Sequence, residues 1–150
     1  MNISPLGNVA HVCRSLSRDH PEAVFIGGVA ISLHESTLGE VCDLDLYVSR
    51  GGLFRLRDQY ELRYSAPCGK HWGCVGGFDL DVYVEGGDLL SPPFGDVLGS
   101  SVMIDEIRVA SLDHLLAMKI EAARARSQWP KGAMDLVDIG RISALLRRGQ

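Results

Sequence analysis

The sequence predicts a mixed α/β domain with its helices concentrated at the two ends of the chain. Three observations carry this. A short apolar run, Ala23 to Ile26 (AVFI), stops at Gly27-Gly28 and gives way to VAISLHESTL, whose Val29, Ile31, Leu33 and Leu38 suit a helix. Two later stretches, Asp43 to Val48 (DLDLYV) and Phe78 to Val84 (FDLDVYV), alternate strictly between polar and apolar residues, the period of a strand with one buried face. Beyond Ala110 the apolar residues return to spacings of three and four.

Taken in order, Val9, Val12, Cys13 and Leu16 predict an amphipathic helix from Asn8 to Asp19, with Arg14 and Arg18 outward and Pro21 closing it. Strand, glycine turn and helix follow over 23–38. In DLDLYV, Asp43, Asp45 and Tyr47 share one face and Leu44, Leu46 and Val48 the other. Gly51-Gly52 is read as the end of that strand, and LFRLRDQY as a short helix. Glu61 to Ser65 reads as a strand leading into a glycine-rich turn, APCGKHWGCVGG. In the next strand Asp79, Asp81 and Tyr83 face one way, and Phe78, Leu80, Val82 and Val84 the other. Gly86 to Gly99, with Pro92-Pro93, reads as loop, and Val102 to Val109 as one or two short edge strands. Ser111 is a good N-cap for SLDHLLAMKIEAARAR, with Leu112, Leu115, Leu116, Ile120 and Ala123 as its buried stripe. Pro130 suits the first turn of a last helix running through Met134, Val137, Ile142 and Leu145.

A length of 150 residues, 46% hydrophobic and 23% charged, matches one ordinary globular domain, so a single domain over 1–150 is expected. No apolar run reaches the roughly 18 residues that span a bilayer, and the N-terminus lacks a basic start followed by an apolar stretch, so a cytoplasmic protein without a membrane partner is expected. The net charge of -4 means that any nucleic acid must meet a local basic patch. Basic residues do cluster, from Lys119 to Lys131 and from Arg141 to Arg148. Cys13, Cys42, Cys68 and Cys74 are expected to be free thiols. Cys68, His71 and Cys74 have the spacing C-x2-H-x2-C but lack the fourth ligand of a structural zinc site, and are read as a turn.

The aspartates carry the chemistry. Strand residues two apart have α-carbons about 6.6 Å apart and point the same way, so Asp43 with Asp45, and Asp79 with Asp81, can each close on a cation. Carboxylates brought to one face repel, and a pair of divalent ions removes that penalty. Oxygen-only ligands favour magnesium or manganese. Gly27-Gly28, where a strand turns into a helix, lets backbone N–H groups approach a phosphate. A phosphate cradle beside metal carboxylates implies a nucleoside triphosphate.

These residues, GG-V-A at 27 to 30, DLDL at 43 to 46 and DVYV at 81 to 84, resemble the minimal nucleotidyltransferase domain of the DNA polymerase beta-like superfamily. ASLDHLLAMKIEAARAR at 110 to 126 followed by KGAMDLVDI at 131 to 139 is similar to the helical segment of AbiEii-type, abortive-infection nucleotidyltransferase toxins. The resemblance implies a nucleotidyltransferase fold: a mixed central sheet flanked by helices with a C-terminal helical pair, the catalytic core at about 23–109 and the helices at about 111–148. Gly27 and Gly28 would hold the triphosphate, with Lys131 also binding nucleotide. Asp43 and Asp45 would bind both metals and Asp81 the catalytic one, with Asp79 its rival. Lys119 and Asp135 would belong to the active site, with Lys131 and Asp138 as neighbours; the plainer reading is an exposed Lys131–Asp135 ion pair. The helix between glycines and aspartates would bring both to one sheet edge. The family often carries Arg-x-Thr/Ser before its first aspartate, where this chain has Gly39 and Val41, so the arginine's support is missing or comes from elsewhere.

The activity implied is transfer of a nucleoside monophosphate from a triphosphate to an acceptor hydroxyl, using two Mg2+ (or Mn2+) ions and releasing pyrophosphate. The acceptor would be RNA such as a tRNA 3′ end, a protein side chain or a small molecule such as an aminoglycoside. An antitoxin protein or a second copy of the chain are the protein partners implied. The alternatives are a catalytically degenerate module that keeps the fold for binding or regulation, and a sugar-nucleotide glycosyltransferase using Asp43-Leu44-Asp45.

Overall fold

The computed structural model describes residues 9–38, 41, 43–87 and 92–149. Helix α1 (Val9–Asp19) leads to strand β1 (Val24–Ile26), which passes directly into α2 (Gly27–Glu35). Strand β2 (Asp43–Val48) precedes α3 (Arg50–Gln59), then β3 (Arg63–Ser65), β4 (Lys70–Val75) and β5 (Phe78–Val84). There follow α4 (Phe94–Gly99), β6 (Val102–Ile104), β7 (Ile107–Val109), α5 (Leu112–Ala125) and α6 (Pro130–Arg148). Among the described residues no helix is long and apolar enough to cross a membrane.

The strands form one mixed sheet in the order β3-β4-β5-β2-β1-β7-β6. The pairs β2–β5 and β1–β7 are parallel, the others antiparallel. Helices flank the sheet, and α5 and α6 pair with each other and pack on α2, so the predicted architecture is the observed one. The alternation of β2 and β5 explains their central place. Leu44, Leu46, Leu80 and Val82 are all fully buried, and each such side chain contributes about 1.5–3 kcal/mol relative to exposure. The glycine pair and the aspartates therefore meet at the middle of the sheet, and not at an edge as expected.

Other expectations are corrected. The segment read as a glycine-rich turn contains β4, half-exposed and carrying no long apolar run. The loop after Gly86 contains α4, whose Phe94 and Val97 are buried and whose Phe94 ring meets Tyr47 edge-on at 5.3 Å. Gly51-Gly52 lies inside the first turn of α3, because Ser49 caps that helix by accepting from the Gly52 N–H. Strand β7 is internal, between β1 and β6. In α5 only Leu115 of the expected stripe is fully buried. In α6 Met134 and Val137, expected inward, are 65% and 61% exposed, while Gly132, Asp135 and Ile142 are buried. The phase of α6 is set by a close approach and by charge: a Cβ on Gly132 would overlap the Arg126 carbonyl oxygen, and Asp135 turns inward to cations of α5.

Candidate active site

Strands β2 and β5 run parallel and in register, Asp43 opposite Asp79 and Asp45 opposite Asp81. Paired residues of neighbouring strands share a face, so all four carboxylates project to one side. On the other flank Ile26, the last residue of β1, lies opposite Asp45. The chain then turns at Gly27, whose φ of +70° is the left-handed conformation that favours glycine and where a Cβ would collide with the Asp45 carboxylate. Gly28 has open space beside it. Ile26 caps α2 with no side-chain acceptor, so the first N–H groups of that helix keep their capacity for an anion. A cleft of about 790 Å³ runs over them, lined by Gly28, Val29, Ser32, Thr37, Val41, Asp43, Asp45, Met134, Asp138 and Arg141.

The charges here are unevenly balanced. Burial, and then the Asp81 charge, push the Asp45 carboxyl up to about 7, against the pull of Lys119 and Lys70 and with a further push from Asp43. Burial, and then the Asp45 and Asp81 carboxylates, push the Tyr83 hydroxyl upward. Asp81, half-buried, accepts from Lys70 Nζ at 3.0 Å. Asp79 is exposed, its carboxylate 3.7 Å from the Cys74 thiol. An oxygen-only set whose carboxylates share one face, with one carboxyl held up by burial and then by its neighbours' charge, fits a hard divalent cation. Among the described residues, however, no three His, Cys, Asp or Glu side chains gather about one point, and Asp81 is turned to Lys70.

That finding covers the cysteines too. His71 and Cys74 sit three apart on β4, so they face opposite ways, and Cys68 lies exposed in the preceding turn. Cys13, Cys68 and Cys74 are free, and burial pushes the Cys13 thiol up to about 12. Cys42 and Gly39 lie outside the described residues.

The helical pair brings Lys119 to the cleft side of the sheet between two aspartates, 3.5 Å from Asp135 and 2.9 Å from Asp138. Asp135, only 2% exposed, also accepts from Arg126 at 2.7 and 3.0 Å. Asp138 accepts from Arg141 at 3.0 Å, and Arg141 reaches both carboxylate oxygens of Glu35 and the Ser32 hydroxyl on α2. The result is a chain of alternating charge from Arg126 through Asp135, Lys119, Asp138 and Arg141 to Glu35. Asp135 is thus committed to Lys119 and Arg126, and the exposed Lys131–Asp135 pair does not form. Lys131 instead lines a second cavity of about 410 Å³ with Asp43, Ser65, Lys70, Trp72, Gly73, Asp79 and Asp81.

Sequence reasoning missed Lys70, Arg126, Arg141 and Glu35. Reading KHWGCV as a strand would have placed Lys70 and Trp72 on the face of Asp79 and Asp81. Arg126 and Glu35 carried no signal, since their partners come from other helices, whereas Arg141 lies three residues after Asp138 on α6, a spacing that offers an ion pair.

No protein-family model matches the chain, and no curated protein matches it. Solved structures do, among them these two. The crystal structure of an antigenic nucleotidyltransferase-like protein from Paracoccidioides brasiliensis has a TM-score of 0.59 at 17% identity, covering 91% of this chain and 75% of that one. The crystal structure of ANT(2″)-Ia in complex with adenylyl-2″-tobramycin has a TM-score of 0.64 at 14% identity, covering 93% of this chain and 88% of that one. The likeness is one of fold: the chain has the nucleotidyltransferase fold.

Proposed function

We propose that the chain is a metal-dependent nucleotidyltransferase that moves a nucleoside monophosphate from a triphosphate to an acceptor hydroxyl and releases pyrophosphate. The observation that carries this reading is the in-register pairing of Asp45 with Asp81 beside the capless start of α2 at Gly27-Gly28. Asp43, Asp45 and Asp81 would hold magnesium or manganese ions. When bound, these ions would lower the pKa of the acceptor hydroxyl and neutralise charge on the triphosphate.

The remaining work falls to the chain's own groups. The N–H groups at the start of α2 would bind phosphate oxygens, which Gly28 admits because no side chain stands in the way. Asp45 would shed the proton that its raised pKa favours. Lys119, fixed by Asp135 and Asp138, would present its ammonium towards the carboxylates without being free to wander. Arg141, standing on α6 in the wall of the cleft, would supply the support of the arginine that the resembled family often carries before its first aspartate. We assign the acceptor to the second cavity, where Lys131 lies, and an RNA end is the acceptor we favour because Arg124, Lys131, Arg147 and Arg148 stand exposed on the two C-terminal helices. A toxin role with an antitoxin partner belongs to the same proposal.

The test is incubation with magnesium, each labelled triphosphate and a mixed RNA pool. Label transfer by the wild type, lost in Asp43→Ala plus Asp45→Ala protein, is the expected result. Identical behaviour of the two proteins would leave a binding or regulatory module on the same fold.

A further inference from the structure

We propose that Lys70 competes with the metal for Asp81, and that its release from that carboxylate accompanies metal binding. The inference rests on the nucleotidyl-transfer reading, because it concerns the same carboxylates.

The geometry is specific. Trp72 of β4 stands opposite Asp81 of β5 in the antiparallel ladder, so Lys70, two residues back, projects from the same face and reaches Asp81 diagonally. The two side chains are 24% and 22% exposed with Nζ and Oδ2 3.0 Å apart, which makes this a partly shielded ion pair and not a mobile surface contact. Asp81 also faces Asp45 across the parallel ladder, and Asp45 has no cation bonded to it among the described residues. One carboxylate of the pair is therefore compensated and the other is not. An ion shared by Asp45 and Asp81 must bind a carboxylate that already carries the Lys70 ammonium, 3.0 Å from its Oδ2. Two cations that need one carboxylate oppose each other's binding, and the coupling is reciprocal.

Once released, Lys70 has somewhere to go. It lines the second cavity together with Ser65, Trp72, Lys131 and the Asp43, Asp79 and Asp81 carboxylates, so on leaving Asp81 its ammonium stays at the wall of that cavity. Metal binding would thus change the charge that an incoming acceptor meets.

The test is Mn2+ binding to the chelator-treated full chain, followed by the electron paramagnetic resonance of free Mn2+, with no substrate present. Lys70→Gln should bind Mn2+ about tenfold more tightly than wild type, within the range usual for coupled sites. Lys70→Arg keeps the pair and should stay within about threefold of wild type. Arg63→Gln removes the same charge from the neighbouring strand, where Arg63 lies over the Trp72 ring at 5.6 Å and among the described residues pairs with no carboxylate, and it should change affinity by no more than about twofold. Equal affinities for Lys70→Gln and Arg63→Gln overturn the proposal and leave the transferase reading standing. Absence of Mn2+ uptake by every variant overturns both. A measurement on the wild type alone covers the case in which Lys70→Gln fails to fold. Acetylation of Lys70 by acetic anhydride, mapped by mass spectrometry against Lys131, should quicken several-fold when Mg2+ is added, and an unchanged rate overturns the proposal.

Discussion

Removing both aspartates that hold Lys119 should cost more than the sum of removing each. In Asp135→Asn, Lys119 keeps Asp138, the nearer partner at 2.9 Å, and Arg126, already 37% exposed, can turn to water. The cost is then about 1–2 kcal/mol, below the 3–5 typical of a buried charge left alone. In Asp138→Asn, Lys119 keeps Asp135 and Arg141 keeps Glu35, for about 1 kcal/mol. In the double variant the ammonium, 17% exposed, has neither partner, and the cost rises to about 3–5 kcal/mol. The expected coupling is therefore about 1–2 kcal/mol, readable from urea unfolding of the four proteins. For a chain of this size each kcal/mol moves the Tm by about 2–4 °C, so the double variant should melt roughly 6–20 °C below wild type. Free energies that add to within about 0.5 kcal/mol would show that the two aspartates do not share Lys119.

Two other predictions test the glycine pair and the link to α2. Among the described residues a Cβ at Gly28 meets no atom within 4 Å beyond its chain neighbours and its own helix backbone, so Gly28→Ala should leave the Tm unchanged or raise it slightly, by up to about 1 kcal/mol of helix propensity, while triphosphate affinity measured by calorimetry falls at least about tenfold. Gly27→Ala combines a left-handed φ with the Asp45 collision and should instead destabilise the fold by about 1–3 kcal/mol; unchanged triphosphate binding by Gly28→Ala would refute close phosphate approach. The Arg141 guanidinium holds the Glu35 carboxyl below its usual 4.5. Because the folded value is the lower one, the unfolded chain binds more protons near this pH, and the stabilisation is present above about 4.5 and lost as pH falls through the folded value. Glu35→Gln should thus be less stable than wild type at pH 7 by about 1 kcal/mol, with the gap narrowing as the pH falls below 4.5; a gap that stays constant as the pH falls would place the effect in packing.

Where one physical signal decided an element, the sequence was enough. DLDLYV and FDLDVYV are strands at the limits expected, because alternation buries one face and leaves the other polar. β4 escaped because KHWGCV carries a glycine and two polar residues on a half-exposed surface, and α4 because glycines sit at two of its six positions. The face of α6 was misjudged for a deeper reason. Apolar periodicity presumes that the buried side is oily, whereas here the side turned inward carries Asp135 and Gly132, selected by cations and by a close backbone approach from α5. The aspartates and glycines of the site were visible as residue types, but Lys70, Arg126 and Arg141 were not. Their roles depend on pairings between elements, Lys70 with Asp81 and Arg126 with Asp135 across neighbouring ones and Arg141 with Glu35 across most of the chain.

The rivalry between Asp79 and Asp81 is, in structural terms, a question of sliding one strand past another. A slip of β5 by one residue would drive its carboxylates into the core, and the buried leucines forbid it. A slip by two would keep every side chain on its proper face and set Asp79, not Asp81, against Asp45. The hydrophobic core is blind to that second slip, so the ends of the strand must prevent it. Beyond Val84, Glu85 donates its N–H to the Val48 carbonyl and accepts the Arg50 N–H on its carboxylate. At the other end, Gly76 and Gly77, both with positive φ, turn β4 tightly into β5. That hairpin carries Lys70 with it. The two strand ends together act as a vernier, selecting which of two chemically identical carboxylates meets Asp45 and which cation stands beside it.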